Sequence, residues 1–379
     1  MNVPGPRIIP PDPRSAPVPA FVSLGMVVLD EIRFPDGRVL RDVPGGSGFY
    51  STLGARLAVP QNESVAVCCL VTAGSDFPSS VRRQIEEWGV SVHLEEVPGA
   101  RSTRGLLEYE NDAFGRKTFR YTAPPLHPDV DRLPVSLLGS SVVHVLATPE
   151  DLERRVSALA ARRAGADGPR PLVAWEPSPI GISDREADHM RAVGWSDICS
   201  PNDHELLRMM GVEEGPGIPY NRALVEAFAV RLARDGGGGG GGGGEDLPGG
   251  LTSAPGTSGG GVTVIRCGDQ GCLTVRRGAG PVWRPPFHDY GSPRVVDPTG
   301  AGNAFLGAFA VAFARTRDEA LASAWGAVAA SFVIEQIGPP RRGLVDGKEV
   351  WNGEGFEDRL VQYEAKVATW STSPGTRCA

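Results

Sequence analysis

From Val142 onward the chain alternates short apolar runs with segments of helical length, and this alternation restricts the fold more than any other feature. Val142 to Ala147, Leu172 to Trp175 and Asp197 to Cys199 have the length of buried strands. Asp151 to Arg163 and Asp184 to Val193, which lie between them, have the length of helices. Strands joined by helices pair in parallel, because a parallel pair needs a crossover and not a tight turn. The pattern therefore predicts an α/β fold, a mainly parallel sheet with helices on both faces.

Gly99 to Pro125 reads differently. Thr103 to Glu110 and Lys117 to Tyr121 are rich in aromatic and β-branched residues and flank the turn-forming NDAFGR, which predicts a β-hairpin. Gly37 to Val43 is expected to add a strand, giving a small sheet apart from the main one. Residues 1–20 are too rich in proline for a helix or central strand, so order is expected to begin at Phe21 after a flexible arm. Nine consecutive glycines, Gly236 to Gly244, lie within a Gly-, Pro- and Ser-rich stretch over 235–261 that cannot bury apolar surface and reads as a disordered insertion. Residues 349–379 carry a helix-like FEDRLVQYEAKV and a polar tail.

The formal net charge of −7 offers no basic field for a nucleic acid backbone. The first twenty residues lack the layout of a signal peptide and no later run has membrane-spanning length, so a cytoplasmic location is expected, with the nucleus also open. Six cysteines (Cys68, Cys69, Cys199, Cys267, Cys272, Cys378) are scattered without zinc-site spacing and read as reduced structural thiols.

Chemistry concentrates in VVDPTGAGNAFLGAFAVAF, Val295 to Phe313: a β-branched strand, an acid, a Gly-rich turn and a long apolar helix. Gly300, Ala301 and Gly302 would let the backbone approach a ligand while the helix start offers N–H groups to an anion such as a phosphoryl group. An ordinary strand-to-helix turn has the same outline. Three other segments join it. In SPNDHELL, Asn202 and Glu205 suit either an N-cap with an acidic first turn or oxygen donors to a hard cation. In VTVIRCGDQGCLTV, Gly268 and Gly271 fall in the turn between two strands. Near the start, VSLGMVVLDEI carries Asp30, and VPGGSGFYSTLGARL carries Gly45 and Gly46 ahead of a helix.

DPTGAGN resembles the DTxGAGD signature of the PfkB (ribokinase-like) carbohydrate kinases, and the other three segments resemble that family's N-x-x-E, G-x-x-G and double-glycine motifs in order. The resemblance runs from Phe21 to Gly338 and implies a Rossmann-like, doubly wound domain over 21–348 with a small β-sheet lid. It further implies ATP and a small hydroxyl-bearing acceptor, with Asp30, Gly45 and Gly46 on the acceptor side. Asn202, Glu205, Gly268, Gly271 and Gly302 would hold nucleotide and Mg²⁺, and Asp297 with Thr299 would hold a monovalent cation such as K⁺. VIEQIGPP, Val333 to Pro340, together with GAGN is similar to one fungal branch, the maintenance-of-killer proteins.

The family's catalytic base is the last residue of GAGD, and here it is Asn303, whose neutral amide cannot take a proton. With the rest of the site intact and a competent acceptor, restoring aspartate there is expected to raise turnover by ~10² or more; if Tyr50 closes the sugar pocket, turnover is expected to stay flat while ATP binding weakens. Tyr50 stands where the family commonly places an asparagine for sugar hydroxyls, and Arg266 where it often has a small hydroxyl residue. Arg266 would either pair with phosphate or cap a strand edge at the surface. Two readings follow: a phosphotransferase with weakened catalysis, or a nucleotide-binding pseudokinase that acts as a scaffold or sensor with a protein partner. A third moves the base to His288 or Asp289.

Overall fold

The computed structural model describes residues 19–110, 117–166, 168–178, 186–212, 220–236 and 261–372. Most of the expected N-terminal arm, NDAFGR, nearly all of the Gly-rich insertion and the polar tail with Cys378 lie outside them. The chain opens with β1 (Phe21–Ser23), β2 (Val28–Arg33), β3 (Val39–Gly45) and α1 (Ser47–Leu57). There follow β4 (Val67–Ala73), α2 (Ser79–Glu86), β5 (Ser91–Glu96), β6 (Arg104–Tyr109) and β7 (Lys117–Tyr121). The alternating stretch gives β8 (Val142–Ala147), α3 (Pro149–Arg162), β9 (Leu172–Pro177), α4 (Glu186–Ala192) and β10 (Ile198–Cys199). It continues with α5 (Asp203–Met209), α6 (Arg222–Asp235), β11 (Val262–Arg266), β12 (Cys272–Arg276) and β13 (Val282–Arg284). The chain closes with α7 (Ala301–Thr316), α8 (Glu319–Val333), β14 (Arg342–Val345), β15 (Lys348–Trp351) and α9 (Phe356–Thr372).

The main sheet has nine strands in the order β13-β12-β11-β10-β9-β8-β1-β4-β5. From β11 through to β5 every pairing is parallel, and β12 and β13 extend the edge as antiparallel strands. Helices cover both faces. Phe49 and Leu53 of α1, Phe309 of α7 and Phe332 of α8 belong to one buried cluster, and Leu152 and Val156 of α3 with Val225 and Leu232 of α6 belong to another. Trp351 and Tyr363 join the first cluster, so the C-terminal segment packs on the body.

The small sheet runs β3-β2-β6-β7, with β6 and β7 forming the expected hairpin and β3 the added strand. Its centre, β2, comes from VSLGMVVLDEI, which divides between two sheets: Phe21–Ser23 in the main one and Val28–Arg33 in the small one. The chain crosses over at Gly25, where a Cβ would lie 2.4 Å from Ser47 Oγ and 2.7 Å from Gly48 N. Asp30 therefore belongs to the small sheet, beside a register shift in the β2–β3 pairing, and such bulges re-aim side chains.

α1 and α7 touch backbone to backbone. A Cβ on Gly54 would stand 1.9 Å from Ala304 O, and one on Gly307 would stand 1.9 Å from Ser51 O. This crossing fixes the first turn of α7 against the helix that carries Tyr50. Among the described residues no helix is long and apolar enough to cross a membrane.

Candidate active site

In an open parallel sheet, ligands meet the carboxyl ends of the strands where the winding reverses direction, here between β1 and β8. Those ends deliver one residue after another to a single cavity of about 1270 Å³: Leu146 from β8, Glu176 from β9, Asn202 after β10 and Arg266 from β11. The α7 start adds Ala301, Gly302 and Asn303, the β11–β12 turn adds Gly268 and Gly271, and the small sheet adds Asp30 and Lys117. Gly46 also lines the cavity. Gly45, Tyr50, Asp297, Thr299 and Gly300 are not among the residues that line it.

Side-chain hydrogen bonds brace the Gly-rich turn. Asp297 is 2% exposed, and its Oδ1 accepts hydrogen bonds from Thr299 N (2.9 Å) and Thr299 Oγ1 (2.6 Å). Gly300 takes φ +81° to cap α7, and the Tyr50 ring lies where its Cβ would go, 2.3 Å away. Tyr50 thus packs against the turn and is not among the residues that line the cavity. Burial above all, with Asp297 and Asp30 nearby, raises its phenol well above the ordinary range.

Asn303 meets a buried charge network that its sequence context does not announce. Its Nδ2 donates to Glu176 Oε2 at 2.7 Å, and His144 Nε2 lies 3.2 Å from the same oxygen. Arg266 Nη1 donates to Glu176 Oε1 at 2.7 Å, while its Nη2 reaches Ser200 O at 2.9 Å and Glu205 Oε2 at 3.2 Å. Burial alone would lift the Glu176 carboxyl, but Arg266, then His144 and Asn303, bring it down to about 2. An ionised carboxylate only accepts, so Glu176 fixes the amide nitrogen of Asn303 toward itself and leaves the amide oxygen as the free end.

Arg266 is therefore not a surface cap on a strand edge: its side chain is 10% exposed and its Nη1 lies 2.5 Å from where a Cβ on Gly302 would be. Asn202 and Glu205 form a reciprocal capping box on α5: Asn202 Oδ1 accepts from Glu205 N and Glu205 Oε2 accepts from Asn202 N, each at 2.7 Å. Burial raises the Glu205 carboxyl against the pull of Arg266. A carboxyl that is part of a cap, an ion pair and a buried site is poorly suited to hold Mg²⁺, which favours ionised, hydrated oxygen donors. Among the described residues no group of three or more His, Cys, Asp or Glu is placed to hold a metal ion.

In the small sheet Asp30 is 8% exposed and sits between two glycines, with its Oδ2 2.4 Å from a Cβ on Gly45 and its Oδ1 2.3 Å from one on Gly105. Its Oδ1 has no hydrogen-bond partner, and neither has Ser47 Oγ; both residues line the cavity. Burial pushes the Asp30 carboxyl up to about 7 against the opposing Lys117 ammonium. Lys117 donates to Thr299 Oγ1 and lies 3.7 Å from Asp297 Oδ1.

His288 and Asp289 also line the cavity, but His288 Nε2 is 2.9 Å from Glu335 Oε1, beyond the end of α8, and Asp289 is exposed beside Lys366. Gly268 and Gly271 adopt φ +52° and +88°, and a Cβ on Gly271 would fall 2.0 Å from Arg284 O. Cys68, Cys69, Cys199, Cys267 and Cys272 are buried and free, and burial pushes the Cys272 thiol up to about 12. Sequence reasoning missed Glu176, Lys117 and Ser47. Glu176 had a visible signal: it is an acid at the carboxyl end of the apolar strand LVAWEP.

The family model described as "pfkB family carbohydrate kinase" matches residues 40–341. The chain is 29% identical over 360 residues to the Saccharomyces cerevisiae protein MAK32, covering 90% of this chain and 91% of that one. It is 28% identical over 361 residues to the Schizosaccharomyces pombe protein C16C9.01c, covering 93% of this chain and 95% of that one. Among solved structures, the Cryptococcus neoformans ribokinase in complex with ADP superimposes with a TM-score of 0.58 at 19% identity, covering 84% of this chain and 95% of that one.

Proposed function

The chain belongs to the pfkB family of carbohydrate kinases, and from that premise we propose that it binds ATP against the start of α7 and a hydroxyl-bearing sugar or nucleoside beneath the small sheet, with phosphoryl transfer weakened at Asn303. The observation that carries this reading is the shared cavity, which joins the Gly302 turn to the unpartnered Asp30 Oδ1 and Ser47 Oγ. Buried polar atoms without partners are rare, and two of them belonging to residues that line one cavity suit the hydroxyls of an acceptor. The small sheet then serves as a lid over the acceptor.

In this reading Asp30 accepts a hydrogen bond from an acceptor hydroxyl and orients it. The Gly302 and Asn303 backbone amides lie ahead of the first intrahelical bond, Ala304 N to Gly300 O, and together with the helix dipole would stabilise charge on the transferring group. The Asn303 amide oxygen can accept a hydrogen bond from the attacking hydroxyl but cannot take its proton. Positioning and charge stabilisation persist while base assistance, typically ~10² to 10⁴ in rate, is absent. Asn202 and Glu205 do not fit as direct Mg²⁺ ligands, and no step here runs through a protein-bound metal.

The Arg266 bridge between Glu176 and Glu205 favours a second reading, a nucleotide-binding pseudokinase, because it fills the space above Gly302 with a guanidinium already paired twice. Measuring ADP production from ATP with a panel of sugars and nucleosides separates the two. Acceptor-dependent turnover, slow but above the no-acceptor rate, supports the kinase; saturable ATP binding with no acceptor-dependent ADP supports the scaffold.

A further inference from the structure

We propose that the Lys117 ammonium supplies the positive charge that Asp297 and Thr299 would otherwise take from a monovalent cation, so that this chain needs no such ion. Asp297 is almost wholly buried, and its Oδ1 is already the acceptor for two Thr299 groups. Lys117 Nζ stands 3.7 Å from that oxygen and donates to Thr299 Oγ1, the two side chains to which the family resemblance gave the cation. The ammonium is also held from a third direction, 5.7 Å from the centroid of the Tyr109 ring, whose hydroxyl lies 3.4 Å from Thr299 Oγ1. A K⁺ ion on these oxygens would share them with a positive charge already in place beside the buried Asp297, where like charges repel more strongly than in bulk water. The expected monovalent-cation site therefore does not fit this chain.

Lys117 begins β7, on the edge of the small sheet, whereas Asp297 belongs to the main body. A free ion would neutralise Asp297 wherever the small sheet stood. A tethered ammonium ties that neutralisation to the contact between the small sheet and the main body. The inference concerns the Asp297 pocket and is independent of whether phosphoryl transfer occurs.

The test is the melting temperature of the full chain in potassium, sodium and choline chloride at constant ionic strength. Wild type is expected to melt at the same temperature in potassium and choline. Lys117→Ala is expected to melt lower in choline and to recover with potassium in a saturable way, by about 2–4 °C at a concentration roughly tenfold above the dissociation constant. Should Lys117→Ala fail to fold, Lys117→Met keeps the aliphatic stem and carries the same comparison. A saturable potassium-specific gain in wild type overturns the proposal, as does a folded variant indifferent to all three salts.

Discussion

Asn303 and Asp30 show how single residues in this site are set by partners far away in sequence. The Asn303 amide is held by Glu176, 127 positions earlier, and a carboxylate placed at 303 would meet that ionised acid in place of a hydrogen-bond donor. Neighbouring carboxylates cannot both ionise freely. The expectation that Asn303→Asp restores a base is therefore revised: alone it should raise turnover by less than about tenfold, whereas Asn303→Asp with Glu176→Gln should raise it by ~10² or more. ADP release with a competent acceptor checks this, and equal rates for the two variants would contradict it. Asp30 carries a second consequence. Its pKa rises from 3.8 unfolded to about 7 folded, so its contribution to stability is full below pH 3.8 and is lost as pH rises through 7. Asp30→Asn should remove that loss and stabilise the fold at pH 8 by at most about 4 kcal/mol, while weakening the acceptor. Urea unfolding at pH 5 and pH 8 measures it: the gain should be larger at pH 8.

At the level of elements, the sequence made the strand–helix alternation, the β6–β7 hairpin and the strand-turn-helix at α7 legible, because each depends on local pattern. The run from Val142 to Ala147 is a strand to the residue, since its flanks are a serine turn and a helix start. The division of VSLGMVVLDEI between two sheets was not legible, because Gly25 bends the chain only where Ser47 and Gly48 crowd it. Nor was the α1–α7 crossing, which depends on two glycines in different helices meeting the opposite backbone. Gly307→Ala tests that crossing. In an exposed helix the change would gain about 1 kcal/mol of propensity, but here a Cβ 1.9 Å from Ser51 O must push α1 away, and overpacking typically costs about 1–3 kcal/mol. A net loss of stability is expected, measured by denaturant midpoint, and a gain would mean the helices have room to part.

For the whole molecule, motif order conveyed the family, the sheet and the glycine turns, while the side chains that close the site came from elsewhere. Glu176, His144 and Arg266 form one network across β8, β9 and β11, and only the stacking of parallel strands brings them together. Lys117 arrives from the other sheet. These residues anchor the Asn303 amide and set a paired arginine beside Gly302. Nucleotide binding is the claim on which both functional readings stand, and calorimetric titration of ATP into the full chain, with and without Mg²⁺, tests it most directly. The account predicts saturable binding of one nucleotide per chain that is lost in Gly302→Val, whose side chain would collide with Arg266 at the start of α7. Absence of heat with folded wild-type protein, or binding that Gly302→Val leaves intact, would contradict it.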